Sequence, residues 1–148
     1  MMKLKVLMAL AILILAVGVS AMGSGLTVVD EGQARAVIVI RPDADMQTRK
    51  AARVLAEYVK KSTGAELPLI SGDGQEADGS IRVFVGESAL EVEPDVVDEL
   101  AGLDEQGFLI RSQDDHILIV GPSVWGTLHG VYDFLERYVG VRWLLPGP

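Results

Sequence analysis

The chain has 148 residues, suited to one domain, with 49% hydrophobic and 23% charged residues, so a sizeable core is available and global disorder is excluded. It carries a formal charge of -8 and no cysteine, which excludes disulfides, thiolate metal sites and lipid attachment through cysteine, and argues against nucleic acid and anionic membrane partners. Part of the apolar fraction belongs to the N-terminus, where Lys3 and Lys5 precede an uncharged run from Val6 to Val19 and the small-residue site Val19-Ser20-Ala21. This is the layout of a signal peptide, with cleavage expected after Ala21, and it predicts an exported chain in the periplasm or outside the cell. The run is short for a membrane span, which needs ~20 residues, so a span is not expected after cleavage and an uncleaved anchor is the alternative. Removing two lysines would take the net charge from -8 to -10.

Residues 22–34 read as a linker, with Thr27-Val28-Val29 as a short edge strand. Ala36 to Ile40 is a continuous apolar, mostly β-branched run, the pattern of a strand buried on both faces. Asp43 or Asp45 then caps a helix of about Met46 to Ser62, whose inward stripe is Ala52, Leu55 and Val59. Lys60 and Lys61 complement the dipole of its last turn, and Gly64 stops it. Leu67 to Ser71 forms a second strand, with Pro68 marking an edge or a strand start. The loop from Ser71 to Ser80 holds Asp73, Glu76 and Asp78, but their spacing is not that of a calcium loop, and its glycines are not followed by the Lys-Ser/Thr of a phosphate loop.

Ile81 to Gly86 is a third strand, with Ile81, Val83 and Val85 on one face. Glu87 to Glu105 carries eight acidic residues and no basic ones, read as a solvated face with a short helix from Pro94, at its first position, to Ala101. Gly107–Ser112 and His116–Gly121 are two strands joined by the turn Gln113-Asp114-Asp115, hence an antiparallel hairpin, and the second is apolar on both faces. The main helix follows. Ser123 is its N-cap, Gly140 its stop, and Val124, Leu128, Val131, Leu135 and Tyr138 its apolar face. Gly126 and Gly130 lower helix propensity and predict close packing against a sheet. Val141 to Trp143 reads as a short last strand. The order β-α-β-β-α-β-β-α-β predicts an α/β sandwich: a mixed β-sheet with two main helices packed on it.

No catalytic constellation is visible. Acids are abundant, but chain spacing picks out no pair of carboxylates facing each other across a glycosidic bond. His116 and His129 are the only histidines and form no zinc pattern, so they read as structural, and neither a metal nor a cofactor is expected. Trp125 and Trp143 flank the main helix and are the candidate site residues, either sealing the core or a domain junction, or stacking on a sugar ring.

The stretch Gly126 to Trp143, with Gly126, Leu128, Gly130-Val131-Tyr132-Asp133-Phe134-Leu135-Glu136-Arg137-Tyr138-Val139-Gly140-Val141-Arg142-Trp143, resembles the end of the small N-terminal domain that precedes the catalytic barrel in bacterial α-glucuronidases and β-hexosaminidases, and in related secreted proteins of unknown function. Ala51 to Val59 with Thr63 to Pro68 resembles the first helix and following strand of that domain, and Val85-Gly86 and Gly107 to Arg111 its middle strands. The resemblance spans residues 35–146. It implies a sandwich like the second domain of β-hexosaminidase, and a non-catalytic accessory role in a secreted glycoside-hydrolase-type protein. The partner it implies is a catalytic barrel, absent from this chain, which would hold the carboxylates. In that family an Arg ordinarily precedes the first helix glycine; Trp125 stands there instead, so no role of that Arg carries over. A free-standing exported domain that binds a saccharide or a protein, or a fragment without independent function, are the alternative readings.

Overall fold

The computed structural model describes residues 25–143, so the expected signal segment and the last five residues lie outside it. A small hairpin comes first, β1 (Val29–Asp30) and β2 (Gln33–Ala34). It replaces the edge strand expected at Thr27–Val29, because Glu31 and Gly32, with φ of 49° and 75°, turn the chain back on itself. The main sheet follows in the order β4-β3-β5-β7-β6. Its strands are β3 (Ala36–Ile40), β4 (Leu69–Ser71), β5 (Ile81–Val85), β6 (Leu109–Gln113) and β7 (His116–Val120). β4, β3, β5 and β7 are parallel neighbours and β6 is antiparallel to β7, so the sheet is mixed as expected. Every residue of β3 is buried, as its β-branched run requires of a strand covered on both faces. β4 lies at the edge and starts just past Pro68, whose carbonyl accepts the Ile38 amide at 2.8 Å.

Two long helices cover one face. α1 (Met46–Thr63) is capped by Asp45, whose carboxylate accepts the amides of Gln47 and Thr48 at 2.7 and 3.0 Å, and it ends at Gly64 with φ 79°. α4 (Val124–Phe134) is capped by Ser123. Ala51, Leu55 and Val59 of α1 meet Leu128, Val131 and Phe134 of α4 over Ile38, Val83 and Ile119. The other face carries two single-turn helices, α2 (Ser88–Val92) and α3 (Val96–Leu100), which bury Ala89, Val96 and Leu100 on Val39, Phe84 and Leu118. The result is three layers, helices over sheet over helices.

Four local expectations are corrected. The acidic stretch holds two short helices, and Pro94 precedes the second rather than occupying its first position, because α3 opens only at Val96. The β6–β7 turn has two residues, not three: Gln113 pairs with His116, and Asp114 takes φ 43°, which an Asp tolerates. Residues 141–143 are not a strand; Val141 is buried against the core with its amide on the Leu135 carbonyl at 3.1 Å. Finally, Tyr138 leaves the apolar face. After Phe134 the helix continues as one π-helical turn, Leu135–Val139, and the wider i→i+5 pitch rotates Tyr138 out to 66% exposure while Val139 packs toward the core.

The glycine expectation holds and goes further than close packing on the sheet. A Cβ built on Gly130 would stand 3.0 Å from Ile119 Cγ2 and 3.2 Å from Phe108 Cβ. On Gly126 it would stand 2.1 Å from the carbonyl oxygen of Gly107, and on Gly121 2.6 Å from the backbone of Gly126. Gly107, Gly121 and Gly126 therefore meet backbone to backbone. Gly126→Ala is expected to cost roughly 3 kcal/mol in urea melts and Gly130→Ala clearly less, because a side chain can yield where a backbone carbonyl cannot. Equal losses would show that the loop before β6 moves freely.

Candidate functional site

The chain leaves β3 toward β4 on one side of the sheet and leaves β5 toward β7 on the other. In open α/β sheets such a reversal opens a crevice at the carboxyl ends of the strands, where ligands and partners bind. Here the crevice measures about 410 Å³. Asp45 and Thr48 form one wall, Gly86 and Glu87 the floor beyond β5, and Pro122 and Val124 the start of α4; Leu90, Val97 and Leu100 close it from the other layer.

Each wall is held by identifiable bonds. Thr48 donates its hydroxyl to Asp45 at 2.7 Å, and a Cβ on Gly86, which sits at φ 75°, would strike Thr48 Cγ2 at 2.8 Å. Ser88 donates to the carbonyls of Val39 and Val85, both at 3.0 Å, and so ties α2 to the ends of β3 and β5. Ser123 accepts from the amides of Trp125 and Gly126 and donates to the Glu105 carbonyl at 2.5 Å. The Gly121 amide donates to Thr127 Oγ1 at 3.1 Å. Burial raises the Asp45 carboxyl, but the hydrogen bonds from Thr48 and Gln47 outweigh it and hold the group below its ordinary value. Asp45 is thus an ionised cap on the crevice wall.

The two tryptophans are not brought together. Trp125 sits in the first turn of α4 and is 54% exposed, while its neighbours Val124 and Thr127 line the crevice. Trp143 follows the last turn but folds back onto Tyr132, about two turns along α4 from Trp125, and no ring contact joins the two tryptophans among the described residues. Trp143 is 39% exposed and is clasped edge-to-face by Tyr58 and Tyr132, with ring centroids 4.8 and 4.9 Å away. Its ring contacts thereby bridge α1 and α4. Trp125 has no such clasp among the described residues. It shares its end of the molecule with exposed Met46 and Val97.

A second cluster was not legible in the sequence. The acidic run is not uniformly solvated. Glu93, in the link between α2 and α3, is only 12% exposed at its side chain. Its carboxylate binds Arg111 of β6 and His116 of β7, each at 2.7 Å, and His116 is equally buried and also meets Asp115 at 3.1 Å. Asp95 at 3.5 Å and Glu99 share Arg111. His116 is the first residue of β7 and is half-buried there. His129 reaches the Gln106 carbonyl at 3.3 Å and helps hold the loop that wraps α4. No group of three or more potential metal ligands gathers among the described residues.

No family model matches the chain, and no curated protein does. Solved structures do. One is a GH138 enzyme targeting pectin rhamnogalacturonan II, similar over 70% of this chain and 13% of its own, at 12% identity and a TM-score of 0.46. Another is a family GH115 4-O-methyl-α-glucuronidase with specificity for decorated arabinogalactans, similar over 77% of this chain and 14% of its own, at 18% identity and a TM-score of 0.48. The chain thus spans about one seventh of the length of these glycoside hydrolases.

The Glu93 cluster has a pH signature. Burial raises the Glu93 carboxyl, but the hydrogen bonds from Arg111 and His116 together outweigh it, so its folded value lies below the ordinary one. A lowered carboxyl value stabilises the fold above the unfolded-state value, and that stability is lost as pH falls through the folded one. Glu93→Gln should cost roughly 1–3 kcal/mol at neutral pH. The gap in urea midpoint between wild type and variant should still be present near pH ~5 and shrink toward pH ~3. A gap independent of pH across that window would mean the charge of Glu93 does no stabilising work.

Proposed function

We propose that this chain is a non-catalytic accessory domain of a secreted carbohydrate-active protein of the glycoside-hydrolase type, and that it packs against or orients a catalytic barrel. The observation that carries this reading is Trp125: a large apolar side chain left 54% exposed in the first turn of a helix whose glycine contacts leave it little freedom to withdraw. Exposed apolar groups gathered at one end of a small domain mark docking surfaces, and rigid aromatic anchors dominate their energetics. The resemblance of Gly126–Trp143 to the domain that precedes such barrels supports the same role. Of the acids that line the crevice, Asp45 caps α1 and Glu87 stands 3.8 Å from Arg41. In this reading, hydrolysis of glycosidic bonds belongs to carboxylates of the barrel, and the N-terminal segment through Ala21 exports the whole protein.

Saccharide contact at Trp125 is the second reading. Its exposed indole favours it, since an apolar sugar face packs on a flat ring.

Both readings meet in one experiment. Antibody raised against the chain should detect, in the exported fraction of the source cells, a species several times larger than 15.9 kDa. An exported species of about the chain's own mass would overturn the accessory role. If its Trp125 emission were then quenched by oligosaccharides, and the quenching lost in Trp125→Phe, the saccharide reading would stand instead. Detection only in the cytosol would overturn export. Trp125→Ala should leave the urea midpoint within ~0.5 kcal/mol of wild type, because an exposed side chain contributes little to the fold.

A further inference from the structure

We infer that β6 is a docking edge for an extended segment of another protein in which apolar residues alternate with lysine or arginine. This rests on the sheet edge and not on the crevice. β6 ends the sheet, and among the described residues no strand pairs with its outer side. The two-residue turn closes on the Gln113–His116 pair, so Gln113, Arg111 and Leu109 bond to β7. The amides and carbonyls of Ser112 and Ile110 then point outward, free to bond a further strand.

The two edges of the sheet differ. Proteins blunt exposed edges by shortening them or by placing proline or bulges there. β4 has three residues and enters through Pro68. β6 has five, without proline, and its register on β7 runs unbroken. It is the edge left open.

Its flanks specify the occupant. Side chains of an added strand would alternate between the two faces of the sheet, as those of β6 do. On the α4 face, Ile110, Ser112 and Ile117 border a cleft of about 260 Å³ closed by Leu26, Phe134 and Tyr138. The π-helical turn places Tyr138 there, and its ring lies 5.1 Å from that of Phe134. That cleft suits an apolar side chain. On the opposite face, Arg111 stands among Glu93, Asp95 and Glu99, three carboxylates to one guanidinium, which leaves an excess of negative charge beside the edge. That face suits a cation. Main-chain hydrogen bonds would supply affinity, and the alternating pockets would supply the choice of sequence.

The test uses the chain and a fluorescein-labelled octapeptide of alternating isoleucine and lysine, followed by anisotropy. Binding should be at least tenfold tighter than to a block isomer with four isoleucines followed by four lysines. It should weaken with added salt, because exposed charges are screened. N-methylation of one alternate set of peptide amides should lower affinity tenfold or more, and methylation of the other set should be tolerated, since only one set faces β6. Ser112→Pro, which removes an outward amide, should lose a similar factor with its circular dichroism unchanged. If that variant does not fold, the pair of methylated peptides decides. Undetectable binding, equal binding of the block isomer, or indifference to both methylation patterns would overturn the proposal; the last two would reduce it to charge adsorption.

Discussion

The structure depends on one close approach. Gly107, Gly121 and Gly126 meet backbone to backbone, near enough that a methyl group on Gly126 would overlap the Gly107 carbonyl. Three different segments come together there: the lead-in to β6, the exit of β7 and the first turn of α4. Once they touch, Ser123 reaches the Glu105 carbonyl, Thr127 accepts the Gly121 amide, and His129 reaches the Gln106 carbonyl. The loop is thereby wrapped around the helix start. The wall of the crevice and the position of Trp125 both follow from this contact, as does the seating of Gly130 on Ile119 and Phe108. The cost is helix propensity, about 1 kcal/mol for each glycine in α4, which packing must offset.

The opposite layer is organised by charge rather than by shape. α2 and α3 are single turns and bury few apolar side chains. Their link is fixed instead by Glu93, whose half-buried carboxylate binds both Arg111 and His116. Leaving one of these half-buried groups unpartnered would cost stability. The same arrangement gives the two flanks of β6 different characters, apolar toward α4 and acidic toward α3. A chain with this acid excess gains solubility from most of its carboxylates, and uses a few of them to hold short helices in place.

The two tryptophans separate along the same lines. Trp143 is taken up by packing, gripped edge-on by Tyr58 and Tyr132, and closes the groove between α1 and α4. Trp125 is left largely exposed in the first turn of the helix. Residues of one type, both flanking one helix, thus take opposite roles because one meets two tyrosines and the other meets solvent.

By itself the sequence determined what local periodicity and local conformational rules control. β3 was legible from its β-branched run, α1 from Asp45, its apolar stripe and Gly64, the β6–β7 hairpin from its spacing, and α4 from Ser123 and its glycines. These depend on neighbours within a few residues, and the mixed α/β architecture follows from their order. Only the tertiary structure decided which glycines touch, that Glu93 is half-buried against Arg111 and His116, that the helix widens into a π turn and turns Tyr138 outward, and that residues 141–143 pack without forming a strand. Each of those depends on a partner brought in by the fold, often from more than ten residues away. Arg111, eighteen residues from Glu93, converts what reads as one more solvated acid into the centre of a half-buried network. Periodicity cannot carry that information, because it records which face a residue lies on and not what stands opposite.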